Sequence, residues 1–329
     1  MKTRTGIIGT GSFLPSKVLT NDDLEKIVDT SDEWIKTRTG ILERRIADKD
    51  TASSDLGLEA AKKALDEAKI GPREIDLIIC ATATPDMFFP STACLIQREL
   101  GTTHAFAFDI SAACSGFVYA IEVANQFIKS GKCEKALVIG VETISRITDY
   151  QDRNTCILFG DGAGAVVLAP VSQEKGILGS HLASDGREAG LIEIPAGGSR
   201  LPATCQTVQE GLHCLKMKGN EVFKLAIRLM SWVVHQVLEE CGLRINDVDL
   251  LIPHQANMRI ITALASRLRI PIEKVAINVD KYGNTSAATC PIALDEAVRE
   301  GRIKDGDIVV LVAMGSGLTW GANVIRWGR

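Results

Sequence analysis

Ala64-Leu-Asp-Glu-Ala-Lys-Ile-Gly-Pro-Arg-Glu-Ile-Asp-Leu-Ile-Ile79 lies without gaps over Val237-Leu-Glu-Glu-Cys-Gly-Leu-Arg-Ile-Asn-Asp-Val-Asp-Leu-Leu-Ile252. Leu65 falls on Leu238 and Asp76 on Asp249, an offset of 173 in a chain of 329 residues. A repeat near half the chain length predicts two similar halves; chance likeness of two helix-plus-strand units is the other reading. A second echo, at an offset of 175, sets Ser111-Ala112-Ala113 against Ser286-Ala287-Ala288, each leading from a strand towards a helix. We therefore expect one half over residues 1–172 and another over 173–329. The second should begin with a loop or cap region at about 173–218, because 178–215 is rich in Gly, Pro, Ser and Thr and has little helical periodicity.

Outward from the repeat, short apolar runs alternate with helical patterns. Strands are expected at Ile75–Ala81, Ala105–Asp109, Lys135–Val141, Gly164–Ala169, Val248–Ile252, Ala276–Asn278 and Asp307–Ala313, with helices at Ser53–Lys69 and Asn220–Glu240. That alternation is an α/β plan. The longest apolar run, Ile308 to Met314, is far shorter than the ~20 residues of a membrane-spanning helix. The N-terminal stretch enters a strand-like Gly6-Ile-Ile-Gly9 and carries no visible export signal. With 37 basic against 41 acidic residues there is no global attraction to nucleic acid or anionic membranes, so an anionic partner must meet a local patch. Nine cysteines without a C-x-x-C pair or His/Cys metal spacing argue for a reducing cytoplasm and against structural zinc.

Four places carry candidate chemistry. Cys114, in Asp109-Ile-Ser-Ala-Ala-Cys-Ser-Gly-Phe117, stands between a short strand and an apolar helical segment running to about Lys129. A thiol at a helix N-terminus can have its pKa lowered, which prepares a nucleophile; taken alone, Cys114 reads first as a buried inert cysteine. His254 directly follows a buried-looking strand in Leu250-Leu-Ile-Pro-His-Gln-Ala-Asn257, a place where α/β folds collect functional side chains; taken alone, it reads first as a packed structural histidine. Asn284 sits in the tight turn Tyr282-Gly-Asn-Thr-Ser-Ala287, where a capping role is the simpler reading. Met314-Gly-Ser-Gly-Leu-Thr-Trp-Gly321 is either a backbone donor loop or a plain hairpin. Gly9-Thr-Gly11 and Phe159-Gly-Asp-Gly-Ala-Gly164 lack the residues that would complete a dinucleotide or phosphate loop.

Taken in order, these residues and several further motifs resemble the β-ketoacyl-acyl-carrier-protein synthase III family of the thiolase superfamily, over nearly the whole chain. The likeness includes Thr30-Ser-Asp-Glu-Trp-Ile-Lys-Thr-Arg-Thr-Gly-Ile41, Phe89-Pro-Ser91, the Cys114 segment, Asp152-Arg153 with the Phe159–Gly164 run, Gly219-Asn-Glu-Val-Phe-Lys224, His254-Gln-Ala-Asn-Met-Arg259 and Tyr282-Gly-Asn-Thr-Ser286. The resemblance implies a five-layered αβαβα fold with two pseudo-symmetric halves, a homodimer, and an acyltransferase that starts bacterial fatty acid synthesis. It implies a Cys114-His254-Asn284 triad, with backbone N–H groups of Cys114 and Ser316 as an oxyanion hole.

In that picture an acyl-coenzyme A primer, by default acetyl, acylates Cys114. Malonyl carrier protein then loses carbon dioxide, and its enolate is held by an N–H from each of His254 and Asn284. The resemblance also implies coenzyme A contacts at Thr30, Trp34, Arg38, Arg153, Asn220 and Asn257, and a primer pocket at Phe89 and Met314. Carrier-protein contacts fall on Lys224, Gln255, Ala256, Asn257, Met258, Arg259 and Arg267. No metal and no resident cofactor are expected, the coenzyme A thioester being a substrate. Met314 and Ser316 stand where relatives commonly carry phenylalanine and glycine, which keeps a backbone donor and reshapes the wall beside Cys114. The alternative is a related condensing enzyme of secondary metabolism with another primer.

Overall fold

Both copies of the repeat fold into a helix, a 3-10 turn and a strand: Ser53–Ala68, Pro72–Glu74 and Leu77–Ala81 in one, Gly219–Glu240, Ile245–Asp247 and Leu250–Pro253 in the other. The two paired aspartates do the same work in each. Asp76 Oδ2 accepts from the backbone N–H groups of Glu134 and Lys135, and Asp249 Oδ2 from that of Ile308, so each carboxylate ties the start of its own strand to the start of the next.

A computed structural model describes residues 3–328. Its two main sheets are built from strands β1 Thr3–Phe13, β2 Leu77–Ala81, β3 Phe106–Ile110, β4 Ala136–Thr143, β5 Asp161–Ser172, β6 Gly176–Ser184, β7 Leu250–Pro253, β8 Ile308–Gly315 and β9 Thr319–Arg326. The principal helices are α1 Asp32–Thr39, α2 Ser53–Ala68, α3 Thr92–Leu100, α4 Gly116–Lys129, α5 Gly219–Glu240, α6 Met258–Leu268 and α7 Thr289–Arg299. The first sheet runs β1-β5-β4-β2-β3 and the second β6-β9-β8-β7, so the order of the first four strands matches. A single parallel bridge from Leu251 to Val275 stands where the second sheet would have its fifth strand.

The layers follow from which faces are apolar. Helices α2 and α3 cover the outside of the first sheet, α5 and α6 lie on the outside of the second, and α4 and α7 fill the space between the sheets. Packed on both sides, α4 buries Phe117, Val118, Ala120, Ile121, Ala124 and Ile128, as an all-round apolar helix must. Strands β4 and β8 are buried at every residue, the pattern of strands covered on both faces. This is the five-layered αβαβα arrangement of the thiolase-like fold.

Three details differ from expectation. Ala276–Asn278 is no strand, because pairing beyond Val275 stops after one bridge. The stretch read as a loop region contains β6, which pairs with β9. Gly176, Gly179 and the polar residues of β6 masked a half-exposed edge strand. The second echo is also misplaced by two. The matching elements are the 3-10 turns Ala113–Ser115 and Ser286–Ala288, each entered at a positive φ, +46° at Ala113 and +50° at Ser286. Their offset is 173, that of the first repeat, so Ala113 pairs with Ser286 and Cys114 with Ala287.

Gly140 of β4 makes room for the second of these turns. A Cβ there would stand 2.5 Å from Ala287 O, closer than backbone tolerates. Gly140→Ala should therefore destabilise the protein by about 1–3 kcal/mol, read as a lower urea midpoint with unchanged slope; an unaltered midpoint would show that the turn yields freely.

Candidate active site

Both positive-φ turns line a cavity of about 720 Å³, through Ala113 and Cys114 on one side and Ser286 on the other. Cys114, His254 and Asn284 all line it, with Ser316 and Met314 on the same wall. His254 and Asn284 are buried at 4% and 7% exposure, which places them on the floor, whereas Arg38, Asn220 and Arg259 are exposed at the mouth.

Cys114 sits in the 3-10 turn ahead of α4. Gly315 presses on this turn so closely that a Cβ would be 2.6 Å from Cys114 N. Ser115 Oγ lies 2.7 Å from Thr319 Oγ1, whose single proton has Ala112 O at 3.0 Å and Ser316 O at 3.1 Å as acceptors, and Ser316 Oγ donates to Ile192 O. The Met314–Gly321 stretch is thus a strand, turn and strand, and the hairpin is what brings the Ser316 backbone beside the cysteine. The expected low thiol pKa is not found. Burial pushes Cys114 up to about 11, with the Glu142 carboxylate adding to the rise and a hydrogen bond with Ser286 opposing it.

His254 follows the end of β7, its backbone N–H donating to Val312 O at 2.7 Å. Its Nδ1 is 2.8 Å from Thr289 Oγ1, and burial lowers its pKa to about 4. Asn284 is stitched into the first half: its N–H donates to Leu158 O at 2.8 Å, and its carbonyl accepts from Gly160 N at 3.1 Å. Gly160 and Gly283 exist for this approach, since a Cβ on Gly160 would be 2.4 Å from Tyr282 O and one on Gly283 2.7 Å from Leu158 O. The Ser286 N–H donates to Asn284 Oδ1 at 2.9 Å. A backbone N–H has no partner but an acceptor, so the amide oxygen is held inward and Nδ2 is the group offered to the cavity.

Two residues that the sequence did not mark lie beneath these three. Glu142, fully buried at the end of β4, accepts from Thr84 Oγ1, Thr82 Oγ1 and Ala83 N on one side and from Ser286 Oγ and Ala287 N on the other. A lone carboxylate closing an apolar run was its signal. Thr289 gave none.

At the mouth, the guanidinium carbons of Arg38 and Arg153 each lie 5.0 Å from the centre of the Trp34 ring. Trp34 and Arg38 share one face of α1, as four-residue spacing requires. Arg153 reaches over from the loop before β5, anchored to Asp29 O. Asn257 caps α6 through Oδ1 to Ile260 N, and it lines the cavity with Asn220 and Ala256. Thr30 lies outside the cavity lining, its hydroxyl buried without a hydrogen-bond partner. Arg259 stacks on Phe223 at 5.3 Å; Lys224 and Arg267 are exposed.

Gln255 and Phe89 sit differently from expectation, and Met258 is only partly accessible. Gln255 is 1% exposed and spends its amide on Pro253 O, Ala276 O and Asn278 N, so it is a strand-end brace and faces no partner. Met258 is half-buried, packed on Gly40. Phe89 is 85% exposed and away from the cavity of its own chain.

Comparison with known proteins fits this geometry. Residues 108–186 match the family described as 3-Oxoacyl-[acyl-carrier-protein (ACP)] synthase III, and residues 238–327 match that family's C-terminal part. The β-ketoacyl-[acyl-carrier-protein] synthase III of Caldanaerobacter subterraneus subsp. tengcongensis is 57% identical over 328 residues, covering 100% of this chain and 99% of the relative.

The chain belongs to the β-ketoacyl-acyl-carrier-protein synthase III family.

The crystal structure of 3-oxoacyl-[acyl-carrier-protein] synthase III from Aquifex aeolicus VF5 superposes with a TM-score of 0.91 at 53% identity, covering 98% of this chain and 100% of that one. The priming β-ketosynthase of the R1128 polyketide pathway also matches at a TM-score of 0.91, but at 34% identity, covering 98% of this chain and 97% of that one. Synthase III members are condensing acyltransferases, which makes this chain an enzyme of that class. Among the described residues no helix is long and apolar enough to cross a membrane.

Burial raises the Glu142 pKa from 4.5 to about 7 despite its donors. The folded state therefore keeps a proton that the unfolded chain has released. The stability this confers is full below about pH 4.5 and is lost as pH rises towards 7. Between those limits the unfolding free energy, from urea titrations, should decline less steeply in Glu142→Gln than in the parent; equal slopes would contradict a proton held on Glu142.

Proposed function

We propose that this synthase III performs the initiating condensation of bacterial fatty acid synthesis, joining an acyl-coenzyme A primer to malonyl carrier protein with loss of carbon dioxide. One observation carries the reading: a sulfur from one half and two nitrogen-bearing side chains from the other line a single cavity whose mouth bears a cation-flanked indole. The thiolate of Cys114 attacks the primer thioester. Backbone N–H groups of Cys114 and Ser316 receive the oxyanion, a contribution worth about a hundred- to a thousand-fold per donor. Malonyl carrier protein then decarboxylates, Asn284 Nδ2 and the Nε2 edge of His254 facing the enolate oxygen. Attack of the enolate carbon on acyl-Cys114 releases the β-ketoacyl carrier protein. The carbanion comes from loss of carbon dioxide and its charge goes to N–H donors, so we assign no resident cofactor.

Trp34, Arg38 and Arg153 suit the adenine ring and phosphates of coenzyme A, through stacking and charge. Asn220 and Asn257 line the approach, and Thr30 supports it from outside the lining. Lys224, Arg259 and Arg267 suit an acidic carrier protein, with Ala256 and Met258 at the edge of that surface. Met314, 4% exposed beside Cys114, bounds the primer, for which acetyl is our default. All nine cysteines are free, which supports a reducing cytoplasm.

We also infer a homodimer. Met87, Phe88 and Phe89 form an exposed apolar loop, the two rings at 84% and 85% exposure, an arrangement that favours a covering partner. Phe89 can then reach a primer pocket only by entering the cavity of a second copy. A Phe88→Ser, Phe89→Ser double variant should sediment with a larger monomer fraction than the parent; a parent that is itself monomeric at micromolar concentration would refute the dimer.

The half-reactions separate the residues. Intact-protein mass spectrometry after exposure to mixed acyl-coenzyme A esters should find one acyl group, mapped to Cys114, and none on Cys114→Ala. Asn284→Asp places a charge against the enolate, so decarboxylation of malonyl carrier protein should fall about a hundred- to a thousand-fold while acyl transfer falls less than about tenfold. Equal losses would remove Asn284 from the second step. Formation of β-ketoacyl product from acetyl-coenzyme A and malonyl carrier protein distinguishes this reading from a relative with another primer.

A further inference from the structure

Thr289 takes no part in the condensation as set out above, yet it touches one of its members. It is 2% exposed at the start of α7, with its hydroxyl oxygen 2.8 Å from His254 Nδ1 and 2.9 Å from Ser286 O. A hydroxyl has one proton, and a carbonyl oxygen accepts without ever donating. The bond to Ser286 O therefore uses that proton. The contact with His254 is then Nδ1–H donating to Thr289. Burial keeps this imidazole neutral, holding its pKa down at about 4, and a neutral imidazole carries one proton. Its Nε2 is consequently a bare lone pair, on a side chain that lines the cavity with Cys114.

That arrangement creates a conflict. A bare Nε2 offers nothing to an enolate oxygen, whereas the half-buried thiol of Cys114, its pKa pushed up by desolvation, needs a base to become a nucleophile.

We propose that Thr289 is a positioning residue that holds His254 in its Nδ1–H form, so that Nε2 takes the Cys114 proton during acyl transfer and keeps it for the condensation. The inference rests on the condensing reading of the site. In the transfer, sulfur bonds to the thioester carbon and the thiol proton moves to Nε2. The tetrahedral intermediate then breaks its bond to coenzyme A, which leaves as a thiolate with the electron pair and takes a proton from water outside the cavity. His254 remains an imidazolium while the malonyl carboxylate arrives, its Nδ1–H on Thr289 and its new Nε2–H facing the enolate oxygen. When the carbon–carbon bond forms, Cys114 is released as a thiolate and recovers its proton from Nε2. Over one turnover the protein returns to its starting state, and the proton consumed is the one that coenzyme A takes from water.

Two measurements test this. In protein labelled with ¹⁵N-histidine, the His254 resonances, assigned by their loss in His254→Asn, should show Nδ1 protonated and Nε2 bare at neutral pH. Thr289→Val keeps the volume and removes the hydroxyl, whereas Thr289→Ser keeps the hydroxyl and removes the methyl. Acyl transfer from coenzyme A should slow about 10- to 100-fold in Thr289→Val at unchanged KM, and Thr289→Ser should recover most of the rate. A pure packing role predicts the reverse ranking. An Nε2–H form in the free protein, a Val variant as fast as the parent, or a Ser variant as slow as Val would each overturn the proposal. The nitrogen spectra require no turnover. A parent protein with Nδ1–H that yields no β-ketoacyl product would thus count against the condensing function alone, and normal condensation with Nε2–H against this inference alone.

Discussion

The carboxylate of Glu142 gathers hydrogen bonds from Thr82, Ala83 and Thr84 of the first half and from Ser286 and Ala287 of the second. A carboxylate without donors is costly to bury. Here the donors come from two segments distant in sequence, so the group is satisfied only when both halves are docked in this register. The geometry of the site depends on that docking. Ser286 touches Cys114, its N–H orients Asn284, and its carbonyl receives Thr289. One buried acid thus sets the position of the turn through which the second half addresses the nucleophile of the first.

The turn itself is a repeated device. Ala113 and Ser286 both adopt a left-handed φ, a conformation that costs a residue with a Cβ about 1–3 kcal/mol and persists where surrounding packing over-determines it. In each half the kink carries the chain from the end of a strand region into a helix between the sheets. In the first half it exposes a sulfur. At the matching position of the second stands Ala287, whose N–H serves Glu142 instead. The same backbone has become nucleophile holder on one side and brace on the other, and the asymmetry lies in side chains alone.

This also explains which parts of the molecule were legible in the sequence. Apolar periodicity and the Asp76–Asp249 pairing report burial and strand-end hydrogen bonds, which are local, and they located α2, α4 and α5 and most strands. The second echo was misaligned because identical Ser-Ala-Ala letters were matched, whereas the shared property is a dihedral angle carried by Ala in one half and Ser in the other. Gln255 was read as a surface contact, but just past the end of β7 its amide is taken by Pro253, Ala276 and Asn278, and Phe89 was placed in a pocket that its own chain does not offer it. Within Phe159–Gly164, which lacks the Lys-Ser/Thr of a phosphate loop, Gly160 proves to permit the close passage of Tyr282, and Gly162 and Gly164 that of Ile292. Glu142 and Thr289 act through contacts 144 and 35 residues away in sequence, and no short-range pattern encodes such contacts.

Dryness has opposite effects on the two groups that must exchange a proton. Burial raises the Cys114 thiol to about 11 and lowers the His254 imidazole to about 4, so at neutral pH both rest uncharged. A reactive thiolate exposed in the resting protein would be open to oxidation; a neutral pair is not. Charge separation becomes favourable only when it is compensated, by an oxyanion at the Cys114 and Ser316 backbone in one half-reaction and by a malonyl carboxylate or enolate in the other. The low dielectric that penalises the isolated ions strengthens each of those compensating contacts. The cavity thus ties ionisation to substrate arrival, and the neutral resting pair follows from the same burial that excludes water from the acyl-enzyme.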